Sequence, residues 1–154
     1  MRDRKLFIFA YLVIALISES TSALANHENG EKHVAPDNIP GVVKVDAEGL
    51  ITLVERMPDL IMIDARIAKD REYGYIEGSR SLPNIDTNCE TLAILIPKKT
   101  TPTVYYCNGP KCGRSVESIK IAKSCGYSNI YWYRGGFEDW KDKNYPFLKD
   151  AGKK

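Results

Sequence analysis

Short, wholly apolar runs alternate with amphipathic stretches along residues 42–147, and that alternation restricts the fold more than any other feature of the chain. Leu60–Ile63 (LIMI) and Thr103–Tyr106 (TVYY) are uninterrupted apolar or aromatic runs of strand length. Such runs suit strands buried on both faces of a parallel sheet. Val42–Val45 and Asn129–Tyr133 (NIYWY) read as two further strands. Between them the spacing turns helical. Asp46 can cap a helix running to Arg56, in which Leu50, Leu53, Val54 and Met57 keep i, i+3, i+4, i+7 spacing before Pro58 stops it. Thr87-Asn88-Cys89-Glu90 has the capping-box pattern and opens a short helix. Arg114–Cys125 carries Val116, Ile119 and Ala122 on its inward row and ends at Gly126, the expected C′ residue; Phe137–Lys143 makes a last helix ahead of Pro146. The pattern predicts an α/β fold, with a central, largely parallel sheet and helices on both faces.

The 154 residues balance 22 basic against 20 acidic side chains, a formal charge of +2. No basic stripe exists to hold nucleic acid, so none is expected as a partner. Residues 1–25 combine Arg2, Arg4 and Lys5 with the apolar Leu6–Ile17 and end in Ala23-Leu24-Ala25. These are the three parts of a secretory signal peptide. At about 1.5 Å per residue the apolar part spans roughly 18 Å, short of the ~30 Å hydrocarbon core, so cleavage rather than stable membrane insertion is expected. The expected location is therefore outside the cytoplasm, periplasmic or secreted. Residues 26–40, which hold both histidines (His27 and His33), form a polar lead-in without periodicity, and residues 148–154 a polar tail. The domain proper is expected over residues 41–147.

Chemistry concentrates in one segment. Cys107 falls where the strand Thr103–Tyr106 ends, and Asn108-Gly109-Pro110-Lys111-Cys112-Gly113 leads into the helix beginning at Arg114. In open parallel sheets the ligand crevice lies at the carboxyl ends of the strands. Gly109, Pro110 and Gly113 let the backbone curl so that N–H groups converge, the helix N-terminus faces the same space, and Lys111 and Arg114 add positive charge. Such surroundings lower a thiol pKa and favour the reactive thiolate, so Cys107 is the expected catalytic nucleophile and residues 108–114 its anion-binding loop. Cys112, five positions on, is a candidate resolving thiol. Cys89 and Cys125 read as buried structural cysteines. Asp64 and Arg66, at the end of the LIMI strand, read as a structural pair, Trp140 as a core anchor, and two of Tyr131, Trp132 and Tyr133 as exposed or near the site.

The cysteine loop resembles that of the rhodanese family of sulfurtransferases, and three further segments resemble the family in its order. Ile63-Asp64-Ala65-Arg66 is similar to its strand-end D-x-R, and Gly74–Pro83 (GYIEGSRSLP) to its G-H-I-x-G-A-x-x-I-P. Gly126–Tyr131 followed by Gly135-Gly136-Phe137-Glu138-Asp139-Trp140 is similar to its G-Y-x-N-V-x…G-G-x-x-x-W ending. The resemblance implies a single rhodanese-like domain carrying sulfane sulfur as a persulfide on Cys107. It implies a small anionic donor of the thiosulfate type, a thiol or cyanide acceptor, and no metal or organic cofactor. Two departures stand out: Tyr75 replaces the usual histidine, and Arg114 lies seven positions after Cys107, so that the loop is longer and contains Cys112. Two other readings stay open beside it. One is a thiol redox or anion-processing enzyme, arsenate reductase-like or phosphatase-like, using Cys107 and Cys112. The other is a non-catalytic sulfur carrier or binding module.

Overall fold

Five parallel strands form the sheet, in the spatial order β1-β5-β4-β2-β3, with β1 Val43–Val45, β2 Ile61–Asp64, β3 Ser79–Ser81, β4 Thr103–Tyr106 and β5 Ile130–Tyr133. The structure, a computed structural model, describes residues 35–149. Five helices complete it: α1 Ala47–Arg56, α2 Ala68–Arg71, α3 Cys89–Leu95, α4 Arg114–Ser124 and α5 Gly136–Asp142. The expected signal peptide and both histidines lie outside the described residues. No helix among the described residues is long and apolar enough to cross a membrane.

The period-2 geometry of the central strands sends alternate side chains to two separate cores. Ile61, Ile63, Tyr105, Ile130 and Trp132 pack against Leu92 of α3 and Val116, Ile119 and Ala122 of α4. Met62, Val104, Tyr106 and Tyr133 pack on the other face against Ala47 and Leu50 of α1 and Phe137 and Trp140 of α5. Helices thus cover both faces, and β2 and β4 are buried throughout, which is why their sequences are apolar without alternation. Local signals place the helix ends. The Asp46 side chain accepts the Gly49 N–H at 2.8 Å, and α1 begins and ends as its spacing predicts. The capping box of α3 is built one residue later than expected, by Asn88 and Thr91.

Several expectations are corrected. Cys89 and Cys125 are joined in a disulfide, Cα–Cα 5.5 Å, linking the start of α3 to the end of α4. Neither is the buried free thiol that apolar neighbours suggested: Cys89 is exposed and Cys125 half-buried. Trp132 and Tyr133 are buried and Tyr131 half-buried, because β5 is an interior strand between β1 and β4. Three elements among the described residues escaped the sequence reading: the single-turn α2, the polar strand β3 and a 3-10 turn, Asn84–Asp86. The chain ends dock further than their polarity suggests. Ala35 and Ile39 are buried in the α3/α4 core, and Leu148 exchanges two backbone hydrogen bonds with Tyr75.

Candidate active site

Cys107 is the first residue beyond β4, at the carboxyl edge of the sheet, and α4 starts seven residues later. The loop between them folds back through a turn in which the Cys112 N–H donates to the Gly109 carbonyl at 2.9 Å. Helix α5 clamps it from one side: the Phe137 and Glu138 N–H groups donate to the Cys107 and Asn108 carbonyls at 2.9 and 2.8 Å. That approach requires glycine at position 136, which has φ +64°, and where a Cβ would sit 2.4 Å from the Cys107 oxygen. On the other side the Ala35 N–H donates to the Pro110 carbonyl at 3.0 Å, and Arg134 holds the Ala35 and Pro36 carbonyls.

The Cys107 side chain is 2 % exposed and surrounded by specific partners. Its Sγ donates to the Cys112 carbonyl at 3.1 Å and accepts from Ser115 Oγ at 3.3 Å. Ser115 is in turn fixed by Trp132 Nε1, which donates to its hydroxyl at 3.0 Å. Each loop thiol is also the largest favouring or opposing influence on the other's ionisation, through a hydrogen-bonding interaction between them. This geometry inverts the electrostatics expected from the sequence. The bond to Cys112, followed by burial, pushes the Cys107 thiol well up. Cys112 is lowered to about 6, first by the hydrogen bond from Cys107, then by the backbone N–H groups of Asn108 and Arg114 and the Arg114 charge. The amides of Asn108 and Arg114 thus favour the ionised form of Cys112 rather than that of Cys107.

Of the loop cations, Lys111 is exposed to solvent. Arg114 pairs with Asp70 of α2 at 2.5 Å, and Asn108 Nδ2 donates to the same carboxylate oxygen at 2.9 Å. Asp70 was missed in the sequence, where nothing connects it to a loop some forty residues away. A cavity of about 230 Å3 opens here, between Asp70, Tyr73, Asn108, Phe137, Glu138 and Lys141. The wall behind it is rigid. Asp64, fully buried, accepts both Arg66 Nε and Nη2 at 2.9 and 2.7 Å, Arg71 at 2.9 Å and the Tyr106 hydroxyl at 2.8 Å. Arg66 also donates to the Gly74 carbonyl and lies over the Phe137 ring at 4.4 Å. The Asp64–Arg66 pair is thus structural, as its sequence suggests. Tyr75 receives the Arg71 guanidinium on its ring at 3.7 Å.

Residues 46–143 match the model of the rhodanese-like domain. A rhodanese domain-containing protein of Drosophila melanogaster is 31% identical over 101 residues, which cover 58% of this chain and 89% of that one. Among solved structures, a Bacillus halodurans protein superposes with a TM-score of 0.63 at 22% identity, covering 71% of this chain and 79% of that chain. Thiosulfate sulfurtransferase from Pseudomonas aeruginosa gives 0.60 at 18% identity, with 70% of this chain lying on 20% of that longer one. The polysulfide-sulfur transferase homodimer of Wolinella succinogenes gives 0.58 at 19%, covering 73% and 82%. These likenesses in three dimensions establish the shared fold. With the family model matched over most of the described residues, the chain belongs to the rhodanese-like domain family.

Proposed function

We propose that this domain is a sulfurtransferase in which Cys107 takes sulfane sulfur from a small anionic donor of the thiosulfate type. It holds the sulfur as a persulfide and passes it to a thiol or cyanide acceptor. The observation that carries the reading is the position of the Cys107 sulfur, at the end of the central strand and beneath the α4 N-terminus, in a domain of this family. With thiosulfate, the Cys107 thiolate attacks the outer sulfur, the S–S bond of the donor breaks, and sulfite leaves with the electron pair. Among the described residues there is no histidine to take the Cys107 proton. The Cys112 thiolate, hydrogen-bonded to that thiol, fills the role of base. Ser115 Oγ, held by Trp132, donates to the thiolate that results. The Cys89–Cys125 disulfide supports an oxidising, exported setting, since such bonds are rare in reducing compartments.

Thiosulfate and cyanide supply the test. The wild type should form thiocyanate and, without cyanide, release sulfite as the sulfur loads on Cys107, as persulfide formation requires. Cys107→Ser should do neither while keeping its fold. Wild-type turnover by Cys107→Ser would end the proposal.

A further inference from the structure

The sulfurtransferase reading uses the second thiol inside the loop only as a base. Cys112 is half-buried, its N–H bonded into the Gly109 turn and its carbonyl 3.1 Å from the Cys107 sulfur. The turn therefore folds the Cys112 backbone back onto the Cys107 sulfur, and the two thiols influence each other's ionisation. Contact is with the sulfur of Cys107 itself, which becomes the inner sulfur of a persulfide. A substrate anion entering a cradle of N–H groups would meet this sulfur, which already accepts the Asn108 and Arg114 amides. The other cysteines offer no competing route, because Cys89 and Cys125 are bonded to each other.

From this arrangement, and resting on the sulfurtransferase reading, we propose that Cys112 is a resolving thiol: it attacks the inner sulfur of the Cys107 persulfide, releases hydrosulfide and closes a Cys107–Cys112 disulfide. The step balances. The proton that Cys112 took from Cys107 passes to the outer sulfur, the Cys112 thiolate forms the new S–S bond, the persulfide S–S bond breaks, and its electron pair leaves on the outer sulfur as hydrosulfide. The sulfane sulfur is reduced by two electrons and the two thiols are oxidised by two. A dithiol reductant must then reopen the loop by thiol–disulfide exchange before the next turnover. The acceptor class is thereby named: where no cyanide intercepts the persulfide, the protein draws electrons from a dithiol and delivers sulfide. Disulfide closure requires Cα atoms within roughly 4.4–6.8 Å, and the Gly109 turn shortens the five-residue span in that direction.

The experiment is a single turnover without oxygen, on the full chain with its Cys89–Cys125 bond intact. One equivalent of thiosulfate is added, the reaction is quenched in acid, and sulfite, sulfide and protein mass are measured against the untreated protein. The wild type should release both sulfite and sulfide and lose about 2 Da, mapped to a Cys107–Cys112 crosslink that a dithiol reverses. Cys112→Ser and Cys112→Ala should load more slowly, stop at the persulfide and release no sulfide. A wild type that releases sulfite and keeps the added sulfur, with no sulfide and no crosslink, overturns the resolving role but leaves the persulfide reading standing. The same holds if the sulfur moves intact to Cys112. A wild type that releases no sulfite and keeps its mass overturns both.

Discussion

Asp70 Oδ2 accepts Arg114 Nη1 at 2.5 Å and Asn108 Nδ2 at 2.9 Å, so one carboxylate on α2 binds both ends of the cysteine loop. The pair is about one-third exposed, Arg114 at 33% and Asp70 at 28%. The cation that the sequence offers to a substrate anion is therefore partly neutralised before any anion arrives. What enters the site must compete with Asp70 for Arg114. The loop's longer reach, with Arg114 seven positions after Cys107, lets the arginine extend to α2.

Replacing Asp70 by Asn keeps an acceptor for Asn108 and Arg114 but removes the charge. KM for thiosulfate should fall by about two- to fivefold, the scale of a half-exposed ion pair worth roughly 0.5–1 kcal/mol. Steady-state thiocyanate formation checks it. An unchanged or raised KM means that Arg114 takes no part in donor binding.

Gly136→Ala tests the clamp from α5. The added Cβ meets the Cys107 carbonyl at 2.4 Å and the residue must hold φ +64°, a conformation costing a non-glycine residue about 1–3 kcal/mol. Gly126→Ala is the matched control, with φ +89° and open space around its Cβ. Both should lower the melting temperature. Only Gly136→Ala should also cut thiocyanate turnover, by about tenfold or more, because it displaces the carbonyl of the reacting cysteine.

The site's position was legible because strand, glycine-proline loop and helix follow one another in the sequence and need only local rules to place Cys107 at the sheet edge. The Asp64–Arg66 pair and the Trp140 anchor, whose indole N–H donates to the Pro146 carbonyl, were legible for the same reason. What was hidden depends on contacts distant in sequence. Asp70 meets Arg114 across 44 positions, and Cys89 meets Cys125 across 36, each on a different helix. Strand β3, Ser-Arg-Ser, has no apolar alternation and is specified by its pairing with β2. The mutual influence of the two loop thiols was hidden as well, since it turns on how the Gly109 turn folds Cys112 back toward Cys107.

Removal of the Cys89–Cys125 bond should lower stability without touching sulfur loading. The loop it closes has a sequence separation of 36, for which chain entropy gives roughly 3–4 kcal/mol. Cys89→Ser, Cys125→Ser and the double variant should lose the same amount in denaturant titrations, since either change removes the whole bond. Sulfur loading, read as sulfite released from thiosulfate at 25 °C, should stay at the wild-type level in all three. A single variant much more stable than the other would show that packing, not the crosslink, dominates.

The charge assignment within the loop gives a pH signature. Cys112 is lowered to about 6 while Cys107 is pushed up, so below that pH the pair is a neutral dithiol and above it one thiolate resides on Cys112. Thiolates, not thiols, react with iodoacetamide. Labelling of the sulfur-free protein should therefore rise with pH through a midpoint near 6, and digestion should locate the first adduct on Cys112. Cys107→Ala removes the largest stabilising contact, the hydrogen bond donated to Cys112, and should move the midpoint up. Arg114→Ala should move it the same way by less, because the Arg114 charge is the smaller cause. Sulfide release in the single-turnover reaction should also rise with pH but through a higher midpoint, since attack needs the Cys112 thiolate and the persulfide lacks the S–H that Cys107 donates to it. A first adduct on Cys107 with a midpoint near 6 would reverse the assignment and make Cys107 the thiolate of the resting loop.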